Sequence, residues 1–157
     1  MKKICYLTIC LFLIISCNQK PEQTAPIHNH AEMVKSETSI RDGIFIHITE
    51  SYNDPHRVLM PLKMAVMMSM DKDVIVYMDI HAVELLVKDS KDLTYADFES
   101  AHTYIKQLTE KGVGVYACPT CLKIAVFKPE NLIDGVQVAQ KDKFFNFTKG
   151  RIITIDY

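Results

Sequence analysis

Hydrophobic and polar positions fall into blocks that switch between strand-like runs and helical spacing. Gly43-Ile-Phe-Ile-His-Ile-Thr49 is a continuous apolar run, the pattern of a strand in a parallel sheet covered on both faces. Asp54-Pro55 follows as an N-cap and first helical residue, predicting a helix to about Asp71. Pro61 falls inside it and predicts a kink, or a carbonyl at Arg57 without its usual partner. Val58, Leu59, Met60, Leu62, Met64, Val66, Met67, Met68 and Met70 put apolar groups on nearly every side of this helix. A helix apolar all round is expected to be buried all round, by the sheet on one face and by another subunit on the other.

Asp73 to Asp79 reads as a second strand, followed by a short helix through Val87 and a polar loop from Lys88 to Leu93. Thr94, with Asp97 three residues on, predicts the start of a longer helix carrying Phe98, Ala101, Ile105 and Leu108 at helical spacing, and Gly112 ends it. Val113 to Ala117 is a third strand. Gly135 to Ala139 makes a fourth, Lys141 to Lys149 a last helix with Phe144, Phe145 and Phe147, Gly150 its stop, and Ile152 to Asp156 a fifth strand. Strand and helix alternate throughout. The expected fold class is therefore α/β, a three-layer α/β/α sandwich on a five-stranded parallel sheet with right-handed crossovers. No internal repeat is visible.

The chemistry concentrates where the third strand ends. Cys118 falls at an N-cap, Pro119 at the first helical position, and Cys121 one turn on. Leu122, Ile124, Ala125, Val126 and Phe127 supply an apolar body that Pro129 ends. Unpaired N–H groups at a helix start stabilise a thiolate over a thiol and lower its pKa. The three-residue spacing brings the two Cα atoms to about 5–6 Å, within disulfide reach, so reduced and oxidised forms are both accessible. In an open parallel sheet the ligand crevice lies outside the carboxyl ends of the strands. Those ends carry Thr49, Glu50 and His56 after the first strand, Asp79 and His81 after the second, and Cys118 with Cys121 after the third.

The remaining histidines and methionines read more plainly. His47, inside a buried strand, is expected to be a hydrogen-bonded core residue. His56 divides between helix-start packing and proton transfer beside Cys118, and His81 resembles it in placement. His102, on an otherwise polar helix face, reads as solvated. Met60, Met64, Met67 and Met68 share one stripe that can bind Cu(I), but adaptable packing is the simpler use.

The N-terminus is a separate region. Lys2 and Lys3 precede an apolar run from Ile4 to Ile15, too short to span a bilayer and suited to a secretory signal. It ends in Ile14-Ile15-Ser16-Cys17, which resembles the bacterial lipobox. That resemblance implies that residues 1–16 are removed, Cys5 and Cys10 with them, and that Cys17 is lipidated and becomes the mature N-terminus. Asn18 follows, which in a Gram-negative host implies the periplasmic face of the outer membrane. Residues 17–42 read as a lipidated cysteine and flexible linker of about 25–30 Å reach, with His28 and His30 as solvated tether residues, and residues 43–157 as one domain.

Composition narrows the partners. The 157 residues carry 18 Lys and Arg against 19 Asp and Glu, with no Trp and no basic run, so nothing in the balance attracts or stacks nucleic acid.

Asp54-Pro55-His56-Arg57, Val74-Ile75-Val76-Tyr77, Cys118-Pro119-Thr120-Cys121-Leu122, Phe-Phe-Asn-Phe and Arg-Ile-Ile-Thr together resemble the DsrE/DsrF-like family over about Gly43 to Tyr157. The resemblance implies a small parallel α/β fold and assembly into homo-oligomers, trimers or hexamers. It also implies persulfide transfer between cysteines, with Cys118 at the acceptor position and a sulfur or electron donor protein as partner. The second cysteine and the exported setting depart from the sulfur-relay members.

Three functional readings result. Cys118 is a nucleophile that takes sulfur or enters a mixed disulfide, with Cys121 resolving and His56 as a candidate proton-transfer group. Alternatively Cys118 and Cys121 bind Cu(I) or Zn(II) with His56 or His81, although one C-x-x-C supplies only half a tetrahedral site. The third reading is a tethered binding module with a structural disulfide, as exported compartments favour. A thioredoxin-type reductase fits less well, because its C-x-x-C follows an early strand. No cofactor is called for, and the expected localisation is a membrane-anchored lipoprotein.

Overall fold

The computed structural model describes residues 40–157. The expectations for the signal, the lipobox, Cys17 and the histidines of the linker fall outside these residues. Five strands form one all-parallel sheet in the order β4-β3-β2-β1-β5, with β1 Gly43–Ile48, β2 Asp73–Met78, β3 Gly114–Ala117, β4 Gln137–Val138 and β5 Ile152–Asp156. The α/β architecture is the one the alternating pattern implies.

Alternate residues of the strands face opposite layers. Ile44, Ile46 and Ile48 of β1, Val74, Val76 and Met78 of β2, and Val115 and Ala117 of β3 enter the main core. They pack under α1 (Pro55–Met68) and α2 (Ala101–Glu110) with Val58, Leu59, Leu62, Ile105 and Leu108. Each such aliphatic side chain contributes about 1.5–3 kcal/mol by leaving water. The opposite face carries Phe45, His47, Tyr77 and Tyr116, and its cover is thin. The chain crosses it between β4 and β5 through the short α4 (Lys141–Phe144), whose Phe144 ring meets Phe45 at 5.4 Å, Tyr77 at 5.1 Å and Tyr116 at 6.0 Å, edge to face.

Four expectations are corrected. First, α1 runs unbroken through the buried Pro61 but is not buried all round, since Met67 is 56% exposed and Met70, just beyond the helix, 76%. Second, the second long helix starts at Ala101, not Thr94. Ser100 Oγ accepts the Thr103 N–H at 3.3 Å and Asp92 Oδ1 the His102 N–H at 3.0 Å, so the first turn finds its partners there. His102 is accordingly half-buried, 3.0 Å from Ser90 Oγ.

Third, the last helix ends at Phe144 instead of Lys149, because the residues beyond it tie β5 to β1. Thr148 Oγ1 donates to the Arg41 carbonyl at 2.9 Å, and Gly150 sits so close that a Cβ would lie 2.2 Å from that carbonyl oxygen. Fourth, α3 (Pro119–Ile124) is shorter than its apolar body implies. Phe127 N–H returns to the Leu122 carbonyl at 2.9 Å and Val126 adopts φ 60°, a Schellman stop that leaves Ile124 and Val126 exposed.

Candidate functional site

The thiol pair sits where β3 hands over to α3. The Cys118 N–H bonds to the Met78 carbonyl at 3.0 Å, which locks the end of β3 against the end of β2. Cys118 is the N-cap with φ −64° and ψ 121°, Pro119 follows at the first helical position, and the Cys121 N–H points at Cys118 Sγ from 3.5 Å. Both thiols are free and half-buried, packed against the edge of the main core and reachable from outside. Cys121 Sγ accepts a second backbone donor, the Ile80 N–H, at 3.2 Å. A helix of two turns has little dipole, so these individual donors carry the electrostatics.

The donors divide the two thiols. Partial burial opposes ionisation of Cys118, yet bonds from the Tyr77 hydroxyl, from the Cys121 N–H and thiol, and from the Thr120 backbone outweigh it and lower its pKa. Cys121 moves the other way. Burial raises its pKa first, its bond to Cys118 and the charges of Cys118 and Asp79 add to that, and the Ile80 N–H only partly offsets them. Tyr77 is pushed far above the ordinary phenol range by burial and by the neighbouring Cys118, so it stays a donor. The surroundings therefore favour the anion at Cys118 and the protonated form at Cys121.

The other candidate residues separate into two groups. Asp79 closes β2, its side chain 19% exposed, and Oδ1 lies 3.0 Å from His47 Nε2. His47 Nδ1 in turn lies 3.2 Å from Asp156 Oδ1. From β3 to β5, Cys118, Tyr77, Asp79, His47 and Asp156 therefore follow the strand order across the carboxyl edge of the sheet. His56 is elsewhere. It is exposed, tilted against Tyr95 at 6.0 Å and Phe98 at 5.6 Å, and lines a cavity of about 640 Å³ with Thr49, Arg57 and Asp156 between the ends of β1 and β5. Thr49 Oγ1 there donates to the Tyr157 carbonyl at 3.3 Å. Glu50 is half-buried on the loop that follows, and His81 is exposed at the turn before the 3-10 segment Ala82–Leu86, held by its main chain to Thr49.

A second cavity, about 410 Å³ and mainly apolar, lies on the thin face. Tyr77 and Pro119, the bonding partner and chain neighbour of Cys118, line it with Phe45, Phe144 and Phe145. Among the described residues no three of His, Cys, Asp and Glu converge where a metal ion would sit. The thiols thus lack the further ligand that the metal reading requires from His56 or His81.

Sequence reasoning missed Tyr77 and Ile80 as partners of the thiols and placed His47 in the core. Parallel register sets His47 beside Tyr77. The usable signal was a polar or aromatic group at each strand end in an otherwise aliphatic run.

Comparison with known proteins gives a consistent picture. A family model described as DsrE/DsrF-like family matches residues 42–154. Among solved structures, the ychN protein from E. coli superposes with a TM-score of 0.59 at 18% identity, covering 73% of this chain and 99% of that one. MTH1491, a protein of unknown function from Methanobacterium thermoautotrophicum, gives a TM-score of 0.51 at 20% identity, covering 72% of this chain and 98% of that one. Both are likenesses of fold. Among curated proteins no relative matches.

Proposed function

The chain belongs to the DsrE/DsrF-like family, and from that premise we propose that Cys118 is a sulfur nucleophile with Cys121 as its resolving thiol. The observation that carries this reading is the division of the pair. Tyr77 and the α3 amides lower the pKa of Cys118, and burial raises that of Cys121, one helical turn away, so the pair is unequal.

In thiol-disulfide exchange the Cys118 thiolate attacks one sulfur of a substrate disulfide, that bond breaks, and the departing thiolate takes a proton from solvent. Cys121 then attacks Cys118 Sγ, closes the internal disulfide and releases the second substrate thiol. In persulfide transfer Cys118 takes the terminal sulfur of a donor persulfide and the donor cysteine leaves as a thiolate. Cys121 Sγ can then attack Cys118 Sγ, which closes the internal disulfide and releases that sulfur as hydrosulfide, and the electron donor reduces the disulfide again. Both routes need the same poised pair.

The setting is part of the proposal. Lipid on Cys17 holds the domain at the periplasmic face of a membrane, where a donor protein supplies sulfur or electrons. A homo-oligomer, trimer or hexamer, is proposed as its assembly, supported by the exposed Met67 and Met70, and sedimentation measures it.

The test is trapping. Cys121→Ser, treated with a persulfide or a mixed-disulfide donor and weighed intact without reductant, should retain the adduct on Cys118, whereas the parent clears it. A Cys118→Ser variant that takes up sulfur as well as the parent overturns the proposal.

A further inference from the structure

In an all-parallel sheet every strand starts at one edge and ends at the other, so this domain has two chemically separate edges. The thiol pair lies at the carboxyl edge, where β3 ends. The chain enters the domain at the amino edge, since Ile40 is 71% exposed and Arg41 and Asp42 lead directly into β1. Whatever anchors the preceding residues therefore holds the domain by that edge.

The amino edge is basic. Arg41, Lys72 and Lys111, which precede β1, β2 and β3, line one cleft of about 480 Å³ with Lys143 of α4, and Asp73 is the one carboxylate among its lining residues. Lys149 belongs to the same edge, because its neighbours Thr148 and Gly150 lie on the Arg41 carbonyl. The carboxylates next to the strand starts are already engaged: Asp42 with Arg151 at 2.7 Å, Asp73 with Arg41 at 3.6 Å, Glu110 with Lys106 at 3.8 Å, and Asp71 with Lys72. Asp142 precedes Lys143 on α4 but does not line the cleft. Lys111, Lys143 and Lys149 are exposed and pair with no carboxylate among the described residues. Their charges stand unneutralised on one edge of a chain whose net charge is −1. The other edge carries Glu50 and Asp54 after β1, Asp79 after β2 and Asp156 at the end of β5.

We propose that the amino edge docks on the anionic phospholipids of the membrane to which Cys17 anchors the chain, which turns Cys118 and Cys121 outward toward their partners. The inference rests on the lipid-anchor reading of Cys17. A lysine beside an anionic membrane surface raises binding about fivefold, so the three together are worth about a hundredfold. The six residues of β1 set the two edges about 20 Å apart. That exceeds two Debye lengths of about 8 Å at physiological salt, so the carboxylates of the far edge feel little of the surface that the lysines touch. A tether supplies proximity without orientation, and the lysines supply the orientation.

The test uses the full chain, purified from cells that lipidate it, on vesicles of phosphatidylcholine alone or mixed with phosphatidylglycerol. Lysines are acetylated with a succinimidyl ester and read one by one by mass spectrometry. On the mixed vesicles Lys111, Lys143 and Lys149 should react about fivefold more slowly than on phosphatidylcholine, and high salt should abolish the difference. Lys123 of α3, exposed at the thiol edge, should react equally on both. In the variant combining Lys111→Gln, Lys143→Gln and Lys149→Gln, all at exposed positions, Lys72 should lose the protection it has in the parent. Equal reaction of the amino-edge lysines on the two vesicle types, or protection of Lys123 along with them, overturns the docking. Protection by millimolar inorganic phosphate without vesicles overturns it too, by making the cleft a site for a soluble anion. Sedimentation with pure phosphatidylcholine vesicles reads the anchor separately: its failure overturns the lipidation of Cys17, while the lysine pattern on the mixed vesicles still decides the docking.

Discussion

Ile80 gives its backbone N–H to Cys121 Sγ at 3.2 Å from a left-handed conformation, φ 49°, that β-branched residues avoid. Asp79 before it is bonded to β1 and Ala82 after it opens the 3-10 segment, so Ile80 and His81 make the whole turn. The strain sits where the chain must aim a donor at a thiol, as stored backbone strain does at functional sites.

That strain can be relieved without losing the donor. A left-handed L-residue costs about 1–2 kcal/mol, which Asn reduces, and Ile80 is 56% exposed, so little apolar burial is lost. Ile80→Asn should stabilise the protein by about 1 kcal/mol and raise the melting temperature by about 3 °C. Thermal unfolding followed by circular dichroism measures this, and a lower melting temperature contradicts the strain argument.

The strands were legible because each is an aliphatic run between polar punctuation, as Gly43–Ile48 and Asp73–Met78 illustrate. The thiol junction was legible for a similar local reason, since Pro119 marks the first helical position and so makes Cys118 the cap. What stayed hidden depends on contacts between distant segments. Thr94 and Ser100 are comparable caps on paper, and the choice falls to Ser100 because Asp92 and the Tyr104 hydroxyl also meet the chain there. Nothing local says that β1 lies between β2 and β5, and so nothing local brings His47 between Asp79 and Asp156.

The start of the sheet depends on pH through Asp42. Arg151 donates to its carboxylate from Nε at 3.1 Å, Nη2 at 2.7 Å and the main chain at 3.3 Å, joining the start of β5 to that of β1. The Arg151 bonds hold the Asp42 pKa below the usual aspartate range. A carboxyl whose folded value is depressed stabilises above its unfolded value and loses that contribution as pH falls through the folded one. Asp42→Asn should lower the melting temperature by about a degree or two at neutral pH, given the exposed setting, and not at all in strong acid. A gap between variant and parent that persists in acid rules the bridge out as its cause.

The lipid tether is testable apart from the chemistry. Cells expressing the full chain should incorporate labelled palmitate into the parent and not into Cys17→Ala, and only the parent should sediment with membranes. Equal labelling of the two removes the anchor from the proposal and leaves the thiol pair untouched.

Tyr77 offers the sharpest test of the poised thiolate. Its ring packs edge to face on Phe144 at 5.1 Å, and Tyr77→Phe keeps that packing while deleting the hydroxyl that bonds Cys118. With the donor gone the Cys118 pKa must rise, so at neutral pH the thiolate fraction falls. Alkylation of Cys118 by iodoacetamide should slow roughly tenfold, the worth of one hydrogen bond to a charged group. Well above the ordinary cysteine range both proteins are fully ionised, and there the variant should equal or exceed the parent, since a more basic thiolate is the better nucleophile. The two pH profiles therefore cross. Stability follows the same sign: the depressed Cys118 value stabilises only at pH values above it, so the variant should lose stability in mild alkali and little in acid. Profiles that superimpose across the whole range would mean that Tyr77 merely fills space and that the amides of α3 alone set the thiolate.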